Sequence, residues 1–96
     1  MYNINQIKKI TEPIAKTYDI DKVWLFGSYA RGEQTEESDI DFRIDRGNVC
    51  SGIRLGAFYA DLEDALNAEI DVVTTQSLSD EFLGKIGRDE VLIYAK

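Results

Sequence analysis

A chain of 96 residues, 44% hydrophobic and 30% charged, suffices for one small globular domain spanning residues 1–96, and not for two. The formal net charge of -7 argues against direct binding to DNA or RNA, which needs an excess of positive surface. It fits a basic protein partner, a site that gathers cations, or nothing beyond solubility.

No apolar run reaches the length of a membrane span, and the N-terminus lacks a signal-peptide pattern. The single cysteine, Cys50, cannot form an internal disulfide, so the expected setting is a reducing cytoplasm without membrane contact. There is no histidine. Acid–base chemistry must therefore fall to carboxylates, lysine or tyrosine.

Ile4, Ile7, Ile10, Ile14 and Tyr18 recur at helical spacing, with Pro13 as an interruption. The pattern predicts a kinked helix or two short ones over residues 4–18, Thr11 being a candidate cap for the second piece. Residues 22–26, rich in Val, Trp, Leu and Phe, predict a first strand buried on both faces. Gly27-Ser28 ends it, residues 29–31 begin a short helix, and Gly32 stops that helix. Residues 33–37 read as a polar loop. A second strand follows over residues 39–44, then a loop over 45–52.

Leu55, Phe58, Leu62, Ala65 and Leu66 mark a helix over residues 53–67. Residues 69–74 alternate as a third strand. Ser79 is a good N-cap for a helix carrying Phe82, Leu83 and Ile86, which Gly87 closes. Residues 91–95 read as a final short strand or a docked tail. The order predicts an α/β (α+β) architecture: one mixed β-sheet with helices packed on it. Trp24 and Phe58 lie in buried patterns, while Tyr29 and Tyr59 are interface candidates if exposed.

The stretch around the second strand carries the chemistry. In Ser38-Asp39-Ile40-Asp41-Phe42 the two aspartates share one face of a strand, and Ile40, Phe42 and Ile44 share the other. If the third strand is a neighbour, its apolar pattern brings Asp71 to the face of Asp39 and Asp41. Like charges so placed repel unless they are protonated or neutralised by a cation. Hard oxygen ligands suit Mg²⁺ or Mn²⁺, and a two-ion site polarises both the attacking and the leaving oxygen of a phosphoryl displacement. The Gly27-Ser28 turn, at the start of a short helix, can hold phosphate oxygens with backbone N–H groups. Asp71 is the candidate to accept the proton of an incoming hydroxyl, or to help a metal bind that oxygen. Each fragment alone is commonplace: a plain turn, an exposed strand edge, a surface arginine. Their combined spacing is specific.

Gly27-Ser28, ten intervening residues and then Asp39-x-Asp41 resembles the signature of the DNA polymerase β-type nucleotidyltransferase superfamily. The stretch GSYARGEQTEESDIDFRI resembles the minimal nucleotidyltransferases (MNT), which are often antitoxins of HEPN–MNT toxin–antitoxin pairs. The later EIDVV, with Asp71, extends the resemblance over nearly the whole chain.

The resemblance implies that Asp39, Asp41 and Asp71 bind divalent metal, Mg²⁺ (two ions) or Mn²⁺, and that Gly27 and Ser28 contact nucleotide phosphates. Arg31 and Ser38 match positions in or bordering the nucleotide site, although Ser38 also suits a turn cap. Arg43 departs from the family's usual apolar residue. By alternation it shares the aspartates' face, where a pair with one of them or with Glu69, a phosphate contact, or a surface ion pair are the options.

The reaction implied is transfer of AMP from ATP to a tyrosine hydroxyl of a cognate HEPN toxin, with release of pyrophosphate. The chain has no residues left over to cradle a small acceptor, which favours a protein acceptor. The alternatives are an MNT module that neutralises its toxin by binding alone, and nucleotidyl transfer to a small molecule or RNA.

Overall fold

The computed structural model describes residues 2–47 and 51–96. Asn48 and Cys50, within the loop expected over 45–52, lie outside the described residues.

The first helix, α1 (Ile4–Thr17), starts on a reciprocal cap in which the Asn3 side chain accepts from the Gln6 N–H and the Gln6 side chain accepts from the Asn3 N–H. It runs without a break through Pro13, so the alternative of two short helices is not what forms. Pro13 is exposed near the helix's end, and the carbonyl it leaves without a donor belongs to exposed Lys9, within reach of water. Thr11 caps nothing and is buried within the helix.

The first strand, β1 (Lys22–Phe26), has the predicted limits. It is not buried on both faces throughout, because Trp24 is half-buried. The short helix α2 (Ser28–Arg31) ends on Gly32 in the left-handed region, φ 73°. Next come β2 (Ile40–Asp45) and α3 (Gly52–Leu66), capped by the Ser51 side chain and closed by Asn67 at φ 49°. The strand β3 (Ile70–Thr74) runs into a single 3₁₀ turn, Thr75–Ser77, that the pattern does not announce. Ser79 caps α4 (Asp80–Ile86), and Gly87 closes it in ordinary right-handed geometry. The final apolar run is a strand, β4 (Val91–Ala95), and not a docked tail.

The strands form one mixed sheet in the order β3-β2-β1-β4. β1 pairs antiparallel with β2 and β4, and β2 pairs parallel with β3. Alternation turns Val23, Leu25, Ile40, Phe42, Ile44 and Ile70 to one face, where they meet Ile7 and Ala15 of α1 and Phe58, Leu62 and Leu66 of α3. α1 packs on α3 and on β4. The opposite face stays more open. α4, which contributes no buried residue, touches the end of β1 through an edge-on contact between Phe82 and Phe26. Among the described residues no helix is long and apolar enough to cross a membrane.

Candidate active site

The site is built where β1 stops. Gly27, at φ 74° and ψ -154°, occupies a backbone region essentially closed to side-chain-bearing residues. It also lies hard against β2: a Cβ at Gly27 would collide with Asp41 Oδ2 and sit 3.2 Å from its Cγ. Two independent constraints thus select glycine. The Gly27 carbonyl accepts from the N–H groups of Ala30 and Arg31, at 3.1 and 3.2 Å, which winds the chain into α2. The N–H groups of Ser28 and Tyr29 come too early in that helix to have an intrahelical acceptor. Tyr29 is buried and anchors α2, which removes it as an interface candidate.

Asp41 sits at the centre of the carboxylates. The pairing puts it level with Phe26 on one side and with Asp71 on the other. Asp39 lies immediately before β2, aligned by the Ile40 N–H, which donates to the Glu69 carbonyl at 3.1 Å. Asp39 and Asp71 are exposed, and Asp41 is partly buried. Burial, then the charge of Asp71, then that of Asp39, push the Asp41 carboxyl up to about 6, against the opposing pull of Arg31. The structure therefore brings Asp39, Asp41, Asp71, Gly27 and Arg31 to one end of the sheet.

Arg31 is also held by Glu33, its Nε donating to Oε1 at 2.6 Å in an exposed pair. Ser38 is engaged in the preceding turn, where its Oγ accepts from the Thr35 N–H at 2.9 Å. That is the turn-capping role.

Arg43 does not join the carboxylates or Glu69; the expected ion pair forms, but with Glu90 and nearly buried instead of at the surface. Arg43 is 8% exposed. Its Nε and Nη2 bind both oxygens of Glu90, at 3.0 and 2.6 Å, and Nη1 donates to Thr75 Oγ1 at 2.8 Å. Its guanidinium lies 3.7 Å over the Trp24 ring, the residue level with it on β1. Trp24 is thus a platform for Arg43 and not a fully buried core residue. Glu90 and Thr75 carry no local signal of this role, because they stand 47 and 32 residues from Arg43.

Among the described residues no group of three or more Asp, Glu, Cys or His is gathered tightly enough to hold an ion by itself. The donors present nonetheless suit Mg²⁺. That ion keeps several waters and takes one or two carboxylates plus substrate phosphates, not a full protein cage. Asp41 and Asp71, side by side, would supply those carboxylates, and the raised Asp41 marks negative charge that a cation would relieve.

A glycine turn pressed against Asp41, itself level with Asp71 on this mixed sheet, points to the class: a nucleotidyltransferase. Residues 8–96 match the family described as Polymerase beta, Nucleotidyltransferase, and the chain belongs to that family. A Methanocaldococcus jannaschii protein named "Putative protein adenylyltransferase" is 41% identical over 76 residues, which cover 79% of this chain and 82% of that one. A solved structure described as a putative minimal nucleotidyltransferase superposes with TM-score 0.80 at 22% identity, covering 94% of this chain and 95% of its own. The Shewanella oneidensis complex of a tri-AMPylated HEPN toxin with an MNT antitoxin superposes with TM-score 0.62 at 22% identity, covering 98% of this chain and 71% of that one.

Proposed function

We propose that this chain transfers AMP from ATP to a tyrosine hydroxyl of a cognate HEPN toxin and thereby acts as its antitoxin. The observation that carries the reading is Asp41 held in register with Asp71 and against the Gly27 turn. In this reading the backbone N–H groups of Ser28 and Tyr29 hold triphosphate oxygens. Arg31 adds positive charge at the same end, and Ser38 stiffens the turn that delivers Asp39. Asp41 and Asp71, with Asp39 beside them, would hold Mg²⁺ or Mn²⁺, which would supply charge stabilisation to the transferring phosphoryl group. Asp71 takes the proton of the tyrosine hydroxyl as its oxygen bonds to the α-phosphorus. The bond from the α-phosphorus to the bridging oxygen breaks, and pyrophosphate leaves with that electron pair.

Support comes from the relative named for protein adenylyl transfer and from a fold neighbour complexed with an AMPylated toxin. The test is incubation of chain and purified cognate toxin with ATP labelled at the α-phosphate. Label is expected on the toxin, lost in Asp39→Asn/Asp41→Asn. Labelling that survives the double substitution overturns the carboxylates' role. Neutralisation that survives without labelling shows that protection works by binding alone.

A further inference from the structure

α3 and the outer edge of β3 leave an apolar notch of about 220 Å³ between them, lined by Gly52, Leu55, Gly56, Tyr59 and Val72. Two of its walls are glycines, so the helix there presents bare backbone. Beside it, Ile53 is 86% exposed, the most exposed large apolar side chain among the described residues.

The strand edge next to this notch is selectively open. Because the Ile40 N–H bonds the Glu69 carbonyl in a parallel ladder, Glu69, Asp71 and Val73 turn their backbone groups toward β2, and Ile70, Val72 and Thr74 turn theirs outward. The Ile70 carbonyl is covered by the Tyr59 hydroxyl at 2.7 Å, and the Thr74 carbonyl by the Ser77 hydroxyl at 2.8 Å. Val72, between them, has no such cover among the described residues. It is both a wall of the notch and the sequence neighbour of Asp71.

The rim is acidic. Glu63 stands one turn after Tyr59 on α3, and Glu69 precedes Ile70, whose carbonyl Tyr59 holds; burial first, then charges that include Glu63 and Glu69, keep the Tyr59 phenol above its ordinary value. Such a rim repels nucleic acid, and it repels a second copy presenting the same acids on a chain of net charge -7. It suits cationic side chains around an apolar anchor.

We propose that this notch docks the acceptor protein, through a segment carrying a large apolar side chain flanked by lysine or arginine. The inference rests on the adenylyl-transfer reading and specifies how the acceptor reaches that site. A segment paired along the β3 edge lies about 4.8 Å from that strand, so one of its side chains stands beside Asp71 on the open face. The acceptor hydroxyl thus arrives at the carboxylate that receives its proton.

The test uses Gly56→Phe. A Cβ at Gly56 meets nothing within 4 Å, and the substitution removes a helix-interior glycine, so the fold tolerates it while the notch is filled. Three quantities are measured with purified cognate toxin: affinity for ATP–Mg²⁺, affinity for toxin without ATP, and the kinetics of label transfer. Gly56→Phe is expected to leave ATP affinity within about twofold, to weaken toxin affinity and raise KM for toxin by at least about tenfold, and to keep kcat at saturation. Glu63→Lys/Glu69→Lys is expected to slow toxin association and to reduce its dependence on salt. Toxin affinity unchanged in Gly56→Phe overturns the proposal. So does sedimentation that shows a wild-type dimer made monomeric by Gly56→Phe, since the occupant is then a second copy. A wild type that binds toxin but transfers no label overturns the adenylyl-transfer reading instead, and the affinity comparison still decides the docking site.

Discussion

A single methyl group on Gly27 would strike the carboxylate of Asp41 while forcing the backbone out of φ 74°. Gly27→Ala is therefore expected to destabilise the fold by about 1–3 kcal/mol, seen as a lower urea midpoint, and to abolish nucleotide transfer. Asp41 itself is held at a cost. Its carboxyl, raised to about 6 from 3.8, binds its proton more tightly folded than unfolded. Stability from this group is thus fully present below about pH 4 and is lost as pH rises through about 6. Asp41→Asn is expected to stabilise the chain by about 1 kcal/mol at pH 7.5, a figure discounted for the solvent around a partly buried group. The gain should vanish at about pH 3.5. Urea melts of both proteins at the two pH values check this, and equal destabilisation at both would refute the repulsion. A residue kept in the less stable ionised form, at the point where three elements meet, is the usual signature of function.

At the scale of elements, β2 carries two different tasks on one face. Asp41 stands at the candidate site, and Arg43, two residues on, ties β1, the segment just before β4 and the 3₁₀ turn together through Trp24, Glu90 and Thr75. Breaking that nearly buried pair by Arg43→Ala or Glu90→Ala is expected to cost about 3 kcal/mol, because it leaves the other charge without a partner. Arg43→Met/Glu90→Leu should recover much of the loss in the same chemical melts. The alternation of β2 and β3, the stripe of α3 and the caps at Ser79 and Gly32 are local patterns, and they were legible in the sequence. So was the shared side of Asp41 and Asp71, because burying Ile40, Phe42 and Ile70 turns both aspartates the other way, but a tight cluster of three carboxylates with Asp39 is not what forms among the described residues. The partner of Arg43 was not legible, since alternation gives a face and not a contact 47 residues away. Pro13 left one kinked helix and two short ones both open, and one helix forms because an exposed proline near a helix end costs only one bond, which water replaces.

Across the whole molecule, acidity and nucleotide binding pull against each other. On the proposed reading, a chain of net charge -7 has to accept a polyanionic nucleotide beside its own carboxylates. ATP without a divalent cation is expected to leave the melting temperature unchanged. A non-hydrolysable ATP analogue with Mg²⁺ is expected to raise it, by about 2.7 kcal/mol of added stability at a hundred times Kd. The rise should be absent in Asp39→Asn/Asp41→Asn, as read in a thermal melt. Stabilisation by the analogue alone, in the presence of chelator, would refute the cation's part.

The parallel pairing of β2 with β3 has one more effect, on synthesis. Strands that run the same way cannot be joined by a hairpin, so the polypeptide leaves the sheet after Asp45 and returns at Ile70 only after passing through α3. A chain still growing on the ribosome carries Asp39 and Asp41 long before Asp71 exists to stand beside them. On the proposed reading, a half-made copy would lack the carboxylate that receives the acceptor's proton until the crossover has folded back.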